Sequence, residues 1–354
     1  MKRELISLGP ALEQIDRVFV RVNGRKLIYF GGCDYYRLAS NQHVLRAAAR
    51  RLTKAPLNVA ASRVTTGNNS IYEQLEATLR VFFKAKDVVL APSGYAANLI
   101  FAQALCGEFA QAVVDERAHP SLRDAVRFLD CPVTQYKHRD AKEAAKQIAR
   151  TGGAKTIVMT DGVFAHDGSL APLPKLLKAL PQNGTLLVDD AHGAGVLGSN
   201  GRGTVEHFGI RDQRIVRTIT LSKAFGAYGG AVLASRRVCK KIIARSALFA
   251  GSTPLPPPLA AAAFAAAATI AGDTAMRNRL RRNLKLIGKD TPIIAVTPKT
   301  AQEVDRLKKR LLKAGIFPSF IRYPSGPASG CFRFAISSEH TPEQIEKLLA
   351  VIRE

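Results

Sequence analysis

The sequence predicts an α/β protein with a mostly parallel central sheet in a large domain and a smaller α+β domain at the C-terminus. Apolar β-branched runs alternate with helical segments up to residue 235, and the pattern changes at a proline-rich stretch that begins at Ser252. A chain of 354 residues with 47% hydrophobic side chains can fill the cores of two such domains. The predicted divisions are an N-terminal segment at 1–40, a large domain at 41–250 and a small domain at 251–354.

Near-continuous apolarity identifies the strands of the large domain, because strands of a parallel sheet are covered on both faces. The runs are DVVLA (87–91), TIVMT (156–160), TLLVDD (185–190), RIVRTITL (214–221) and GAVLAS (230–235). Helices are predicted between them at 121–129, 141–150 and 175–180. In the small domain the pattern predicts an alanine-rich helix at 259–272, a strand at TPIIAV, a basic helix and a strand at FRFAIS.

The composition narrows the classes of function. An excess of 52 basic over 28 acidic residues gives a net charge of +24, which favours an anionic partner. The basic residues are spread along the chain without interleaved aromatics, so nucleic-acid binding by base stacking is not indicated. Five scattered cysteines without CxxC spacing indicate neither a disulfide framework nor a zinc site, and a reducing, cytoplasmic location is expected.

Neither a signal peptide nor a membrane span is expected. The N-terminus lacks an apolar core followed by a small-residue cleavage site. The longest apolar run, at 259–272, is 14 residues of mostly alanine, which is too short to cross a bilayer and is typical of a packed core helix.

The carboxyl ends of parallel strands form the ligand site of an open α/β sheet, so the residues that follow each strand carry the functional signal. PSGYAANL follows the first strand, and its glycine turn opens a helix whose free N–H groups favour a phosphate. TLLVDD leads into a glycine-bearing loop that presents Asp189, Asp190 and His192. By itself this loop is most simply a capping aspartate with an ordinary loop histidine, although such a carboxylate could also bind a metal or hold a protonated ring nitrogen.

The next strand delivers one lysine into a glycine-rich turn. RIVRTITL is followed by SKAFGAYGG, which places Thr220, Ser222 and Lys223 at the same edge. A lysine in a semi-enclosed pocket is destabilised as a cation and becomes the neutral amine that forms a Schiff base. A phosphate cradle, a carboxylate for a ring nitrogen and an amine for an aldehyde together suit pyridoxal 5′-phosphate. We therefore predict this cofactor, with Lys223 as its anchor.

Four stretches, SGYAAN, DGVFAHDG, LLVDDAHGAGVLG and TLSKAFGAYGG, resemble the α-oxoamine synthases of the fold-type I, aspartate aminotransferase-like pyridoxal-phosphate enzymes. Within that family the resemblance is greatest to the 8-amino-7-oxononanoate synthases, and it runs from about Arg21 to the C-terminus. It implies a homodimer with shared active sites. It also implies a decarboxylative condensation of a small amino acid, with L-alanine favoured, and an acyl-CoA or acyl-carrier-protein thioester to give an α-amino ketone.

The resemblance implies a role for each matching residue. Lys223 would anchor the cofactor and act as the base at the amino acid's Cα, and Asp189 would pair with the ring nitrogen. His192 would donate to the ring oxygen, and His119 would stack on the ring and stabilise the thioester oxygen. Arg333 would hold the amino acid's carboxylate through a bidentate pair.

A second group of matching residues would bind the phosphate or the edge of the ring. Two of its members come from the GSTPLPPP segment and would reach the phosphate in the neighbouring subunit. The group consists of Ser93, Gly94, Tyr95 and Thr220, together with Ser252 and Thr253 for the neighbouring subunit.

Three stretches depart from the family pattern. CDYYRL occupies the position of an NDYLGL-like segment of the family, so Cys33 replaces an asparagine that helps hold the amino-acid carboxylate. GVFAHDG occupies the position of a GVFSMDG-like stretch, so Ala165 replaces a serine and is followed by His166. Tyr72 stands in a region where the family has a histidine. These changes affect the substrate site more than the cofactor site.

Three alternatives remain open at this point. Another α-oxoamine synthase with a glycine or serine donor would suit the change at Cys33. A fold-type I transaminase would need a keto acid and release no thiol. A basic nucleic-acid-binding or scaffold protein with a degenerate enzyme fold would suit the charge, but the intact Asp189, His192 and Lys223 speak against it.

Overall fold

The computed structural model describes residues 9–322 and 326–353. The first eight residues of the predicted N-terminal segment therefore lie outside the described residues. The helices are α1 (Gln42–Leu52), α2 (Ser70–Phe83), α3 (Gly94–Ala104), α4 (Pro120–Ala125), α5 (Ala141–Ala149), α6 (Leu173–Ala179), α7 (Thr204–His207), α8 (Arg236–Arg245), α9 (Ala247–Gly251), α10 (Pro257–Gly272), α11 (Thr274–Ile287), α12 (Ala301–Lys313) and α13 (Pro342–Arg353).

The strands form three sheets within the described part of the chain. They are β1 (Glu13–Gln14), β2 (Phe19–Val22), β3 (Arg25–Ile28), β4 (Asp87–Ala91), β5 (Gln111–Asp115), β6 (Val133–Tyr136), β7 (Thr156–Asp161), β8 (Thr185–Asp189), β9 (Ile215–Thr220), β10 (Gly230–Ala234), β11 (Ile293–Val296), β12 (Phe320–Ile321) and β13 (Cys331–Ala335). The central sheet has the order β4-β10-β9-β8-β7-β5-β6, and the two smaller sheets are β1-β2-β3 and β11-β13-β12.

The central sheet is parallel except for one strand. Only β10 runs antiparallel to its neighbours, β4 and β9. The pairs β5 with β6, β5 with β7, β7 with β8 and β8 with β9 are parallel. The carboxyl ends of β4, β5, β7, β8 and β9 consequently share one edge with the start of β10, and the functional residues gather there.

Helices bury the sheet on both faces, which explains the near-continuous apolarity of its strands. Residues of α3 and α8 share one apolar core with the sheet, whereas α2 and α10 belong to a second core on the other face. Helix α10 is rich in alanine because it packs closely against both α1 and α2. Ala260, Ala263 and Ala266 in this helix are fully buried.

The C-terminal region forms its own sheet with helices α12 and α13. Phe332, Phe334 and Ile345 lie in its core, and this core also contains Ile28 and Phe30 from the N-terminal segment. A hydrogen bond from the Ala335 N–H to the Phe30 carbonyl joins the two segments. We keep the division at 1–40, 41–250 and 251–354 as a proposal, noting that the N-terminal segment packs on the small domain and α10 on the large one.

The five strands predicted for the large domain are all present, each within one or two residues of the expected bounds, and the predicted fold class is confirmed. The sequence reading missed β5 and β6. No single helix in the described part is both long and apolar enough to cross a membrane, and α10 with α11 meets that test only as a pair that bends by 74° at its break.

Candidate active site

Lys223 lies just beyond the end of β9 and forms a chain of contacts with two buried side chains. Its Nζ is 2.9 Å from His192 Nε2, and His192 Nδ1 is 2.7 Å from the Tyr35 hydroxyl. Burial lowers the pKa of Lys223, and burial together with the nearby Lys223 charge lowers the pKa of His192 well below its usual value. The imidazole is therefore neutral at pH 7 and accepts from Lys223 at Nε2, while Nδ1–H donates to Tyr35.

The turn that carries Lys223 closes on itself. The Leu221 N–H donates to the Gly229 carbonyl at 2.9 Å, and the Ala227 N–H donates to the Leu221 carbonyl at 2.9 Å. Gly226 has a φ of +58°, and a Cβ there would lie 2.2 Å from the backbone nitrogen of Ala39. The glycines thus let the turn adopt a left-handed conformation against neighbouring backbone and fix the lysine main chain.

Asp189 ends β8 and is held by an amide that the sequence analysis did not single out. Asn98 Nδ2 donates to Asp189 Oδ2 at 2.7 Å, and Asn98 Oδ1 accepts from the Thr218 hydroxyl at 2.6 Å. The same Nδ2 donates to Ser121 Oγ at 2.8 Å, and Asn98 is fully buried. The adjacent Asp190 turns away from Asp189 and accepts from the Thr204 N–H and hydroxyl. Asp190 therefore holds the loop, whereas Asp189 is oriented toward the site.

His119 follows β5 and caps the start of α4. Its Nδ1 accepts from the Ser121 N–H at 3.1 Å, and its backbone N–H donates to Asp161 Oδ2 at 2.8 Å. Burial lowers the pKa of the His119 ring, although the Asp189 charge opposes this. Burial raises the pKa of Asp161 well above its usual value, and the Asp189 charge adds to the effect. The structure thus gives a neutral, partly buried imidazole on a fixed backbone.

The predicted phosphate cradle lies at the start of α3. Ser93 Oγ caps this helix by accepting from the Ala96 N–H at 3.0 Å. A Cβ on Gly94 would lie 2.8 Å from Thr220 Cβ, so α3 and the end of β9 meet closely here. The Tyr95 hydroxyl donates to Asp124, and burial and this bond raise the pKa of Tyr95 to about 12. Its ring meets His119 edge to face, with centroids 6.0 Å apart.

Arg333, on β13, contacts two of the three stretches that depart from the family pattern, at Cys33 and Ala165. One guanidinium nitrogen donates to the Ala165 carbonyl at 3.0 Å, and the other donates to Cys33 Sγ at 2.9 Å. The charge of Arg333 lowers the pKa of both Lys223 and His192, which places it beside the lysine. The structure therefore brings the residues predicted for the amino-acid carboxylate together next to those predicted for the cofactor.

Ser252 and Thr253 are not part of this cluster in the single chain. The Ser252 hydroxyl donates to the Leu248 carbonyl at 2.5 Å, and Thr253 is exposed. Tyr72 is buried, and its hydroxyl donates to the Leu255 carbonyl at 2.9 Å, so it holds the segment that carries these two residues. Their predicted reach into a neighbouring subunit stays a prediction.

Sequence reasoning missed Asn98, Tyr35 and Asp161. One signal was available for Asn98, because an amide in the apolar helix sequence YAANLIFA is costly to bury without polar partners. Tyr35 and Asp161 gave no comparable signal, since their partners His192 and His119 are distant in sequence.

The functional groups at this edge of the sheet, and the room between them, fit pyridoxal phosphate. A buried carboxylate oriented by Asn98, a lysine whose cationic form is disfavoured, and a helix N-terminus with room only for glycine at residue 94 are the groups that this cofactor requires. These groups lie at one edge of the sheet, at the ends of β4, β8 and β9.

The comparisons with known proteins agree with this arrangement. Residues 26–352 match the aminotransferase class I and II family. The chain is 32% identical to the 8-amino-7-oxononanoate synthase of Methylobacillus flagellatus, covering 98% of this chain and 91% of the relative. It is 33% identical to the enzyme of the same name from Thioalkalivibrio sulfidiphilus, covering 94% and 88%.

Solved structures show the same relationship. A serine palmitoyltransferase from S. paucimobilis with bound PLP and myriocin superposes with a TM-score of 0.90 at 25% identity, covering 98% of this chain and 91% of that one. The 8-amino-7-oxononanoate synthase from Francisella tularensis gives a TM-score of 0.79 at 27% identity, covering 92% and 96%. This chain therefore belongs to the aminotransferase class I and II family, in its α-oxoamine synthase group, and the cofactor of this chain is pyridoxal phosphate.

Proposed function

We propose that the protein is a pyridoxal-phosphate-dependent C-acyltransferase that condenses a small amino acid, L-alanine in the first instance, with an acyl thioester. CO2 is lost and an α-amino ketone is formed, as in an 8-amino-7-oxononanoate synthase. The similarity to proteins of that name over nearly the whole chain carries this proposal. The arrangement of Lys223, His192, Asp189 and Arg333 supports it.

When bound, pyridoxal phosphate supplies an aldehyde that takes up an amine and a ring that accepts the electron pair released at the amino acid's Cα. Asp189, oriented by Asn98, holds the proton on the ring nitrogen. Ser93, Gly94 and Thr220 bind the phosphate at the N-terminus of α3, where the backbone N–H groups are free to donate.

Lys223 moves the proton at the amino acid's Cα. Its lowered pKa favours the neutral amine that this step requires. His192 holds Nζ at 2.9 Å and is itself neutral, so it orients the amine without adding a competing charge. Burial also lowers the pKa of His119, which favours its neutral form, and this imidazole stabilises the oxygen of the thioester carbonyl.

Arg333 binds the carboxylate of the amino acid. Its guanidinium is already held in place by the Ala165 carbonyl and by Cys33 Sγ. Binding exchanges the weak sulfur acceptor for a charged carboxylate, to which a guanidinium bonds more strongly. A thiol at residue 33 donates poorly to that carboxylate, so we propose weak binding of the amino donor.

The acyl donor carries negative charge, whether it is the phosphates of coenzyme A or an acidic carrier protein. Helix α8, which follows the end of β10 at the sheet edge opposite the active site, presents a basic surface of Arg236, Arg237, Lys240, Lys241 and Arg245, where Lys241 and Arg245 pair with Glu108. The net charge of +24, rather than this one surface, supports the attraction of an anionic donor and a higher association rate. If the KM for the acyl donor does not change with ionic strength, this role for the charge is rejected.

We also propose a cytoplasmic homodimer in which Ser252 and Thr253 reach the partner's phosphate. Five free cysteines support a reducing compartment. Sedimentation at assay concentration tests the dimer, because a monomer with full activity would contradict the shared site.

The proposed activity is tested by mixing the holoenzyme with glycine, L-alanine and L-serine in separate reactions with a series of acyl-CoA thioesters. Free thiol and CO2 should be released together in equal amounts with one preferred amino acid. Thiol release without CO2, or amino transfer to a keto acid without thiol release, would replace the proposal by a hydrolase or a transaminase.

A further inference from the structure

A group of metal-ligating side chains lies beside the active site but takes no part in the proposed reaction. His138, His166 and Asp167 each offer one ligand atom, and these atoms lie within 4.8 Å of one another. His166 belongs to the GVFAHDG stretch that departs from the family pattern, and His138 precedes α5. Within the described part of the chain, none of the three forms a hydrogen bond with Lys223 or Asp189.

His138 is oriented by a buried carboxylate. Its Nδ1 is 3.0 Å from Asp115 Oδ1, and Asp115 also accepts from the backbone N–H of Arg117 and of Arg139, each at 2.9 Å. Because both Asp115 oxygens already accept from backbone N–H groups, Asp115 also accepts from His138, so Nδ1 donates and Nε2 offers a lone pair. A carboxylate that holds the second nitrogen in this way is typical of histidines that bind metals.

Asp167 is oriented by the turn on which it lies. Its Oδ1 accepts from the Ser169 N–H at 2.8 Å, and the turn is closed by a bond from the Gly168 N–H to the Phe164 carbonyl at 2.9 Å. The other oxygen, Oδ2, lies 3.4 Å from His166 Nε2. Two donors at about 2.1 Å from one tetrahedral ion lie about 3.4 Å apart, so this pair already has the required separation.

His166 is nearly fully buried, with 3% of its surface exposed, and its Nδ1 has no hydrogen-bond partner among the described residues. Its ring centroid is 5.3 Å from that of His138, with the planes tilted by 56°. Phe164 packs edge-on against the His138 ring at 4.3 Å. Two imidazoles and one carboxylate thus converge. The Ser169 hydroxyl, 3.4 Å from His138 Nε2, is a further polar neighbour of the cluster.

We propose that His138 Nε2, His166 Nε2 and Asp167 Oδ2 bind one divalent transition-metal ion of the zinc type. Two imidazoles and a carboxylate are ligands that Zn²⁺ accepts, and a water molecule completes four-coordination. The ligand atoms, which lie within 4.8 Å of one another, need to approach by at most about 1.4 Å to reach the tetrahedral separation, which side-chain rotation supplies. The site adjoins the amino-acid end of the active site, since the carbonyl of Ala165, one residue before His166, binds Arg333.

Arg117 is the competing group. Its guanidinium lies 3.4 Å from His166 Nε2, and the residue is exposed. The ion and this cation cannot share the nitrogen, so the arginine turns into solvent when the ion binds. Removing its charge should therefore strengthen binding, whereas a purely structural role for the histidines gives no reason for such a gain.

The test uses the pyridoxal-phosphate-loaded protein after treatment with a chelator, dialysed against Zn²⁺ alone. Metal analysis should find one Zn²⁺ per chain in the wild type. His166→Met, which restores the residue of the GVFSMDG-like pattern, and Asp167→Asn should each weaken binding at least tenfold, while Arg117→Ala should strengthen it. His43→Ala, at an exposed histidine outside the cluster, should leave binding unchanged.

Co²⁺ gives an independent readout, because its visible ligand-field spectrum reports tetrahedral coordination and requires no activity. We expect this spectrum in the wild type and not in His166→Met, with circular dichroism confirming that both are folded. The proposal is overturned if the wild type retains no Zn²⁺, or if folded His166→Met binds Zn²⁺ as tightly as the wild type. Neither result bears on the proposed acyl transfer, which is measured separately.

Discussion

The two ends of the active site are built differently. At the cofactor end, Asp189, Asn98 and His192 are buried, and side chains from several strand ends satisfy one another's hydrogen bonds. At the amino-acid end, Arg333 is held by a backbone carbonyl and by the sulfur of Cys33. A backbone carbonyl is present whatever the side chain, and sulfur is a weak acceptor.

This difference shows where the protein can vary. A change at Asn98 leaves several buried polar atoms without partners, so the cofactor end tolerates few substitutions. At the amino-acid end, the backbone carbonyl of residue 165 holds Arg333 whichever side chains stand at positions 33 and 165, and only the weak sulfur contact depends on residue 33. Donor specificity can therefore change there without loss of the cofactor site.

Lys223→Ala tests the cofactor end and should have the largest effect on activity. It removes the amine that anchors the cofactor and moves the Cα proton, so acyl transfer should fall by about 10³-fold or more. The visible absorbance of lysine-bound cofactor should disappear as well. The matched control is Ser222→Ala, an exposed neighbour on the same turn, which should retain nearly full activity. Equal activity of the two variants would remove Lys223 from the mechanism.

Asn98→Ala should cost about 1–3 kcal/mol of unfolding free energy, because Asp189 Oδ2 and the Thr218 hydroxyl lose a buried partner. It should also lower kcat, since Asp189 is no longer oriented. Asn283→Ala serves as the control, because Asn283 is a buried amide that donates to two carbonyls in the C-terminal region. If both variants lose stability but neither loses kcat, the orienting role of Asn98 is wrong.

The neutral His192 should make stability depend on pH. Its folded-state pKa lies well below the unfolded value of about 6.5, so below that pH the unfolded chain binds a proton that the folded chain does not. The free energy of unfolding should fall as the pH drops below about 6.5, by at most about 1.4 kcal/mol per pH unit from this group. Urea unfolding at pH 7, 6 and 5 measures the slope.

His192→Gln keeps a hydrogen-bonding side chain but cannot titrate. The free energy of unfolding of this variant should therefore change less steeply with pH than that of the wild type. His340, which is buried and whose pKa burial lowers to about 3, contributes equally to both proteins. Identical slopes would mean that His192 titrates alike in the folded and unfolded chains.

Cys33→Asn tests the amino-acid end and should have the smallest effect. An amide can donate to the substrate carboxylate beside Arg333, and one such bond is worth about 0.5–1.5 kcal/mol. The KM for the amino acid should fall between about twofold and tenfold, with kcat changed less. Cys106→Ser, at an exposed cysteine, should change neither constant. A KM that does not respond to Cys33→Asn would show that residue 33 does not contact the carboxylate.

The sequence could predict the strands and the residues at their ends because both follow local rules. Buried parallel strands are apolar throughout, and RIVRTITL and TLLVDD therefore stand out. Strand β6 lies at an edge of the sheet and two of its four residues are exposed, so VTQY carries no such signal. Edge strands are half-solvated, and their pattern resembles that of a loop.

Contacts between distant residues could not be read from local patterns. Cys33 and Arg333 are 300 positions apart, and only the fold places them 2.9 Å from each other. The same holds for Tyr35 with His192 and for Asn98 with Asp189. The sequence shows which groups are available for chemistry, whereas the groups that orient them depend on tertiary packing.

The closed turn around Lys223 limits how this residue can move. Hydrogen bonds between Leu221, Ala227 and Gly229 fix the main chain on both sides of the lysine. Any displacement of Nζ during a catalytic cycle is therefore confined to the four side-chain torsions. Such rotations need no rearrangement of the loop, a motion that takes nanoseconds to microseconds. Displacement of the Lys223 amine thus requires no opening of the turn that carries it.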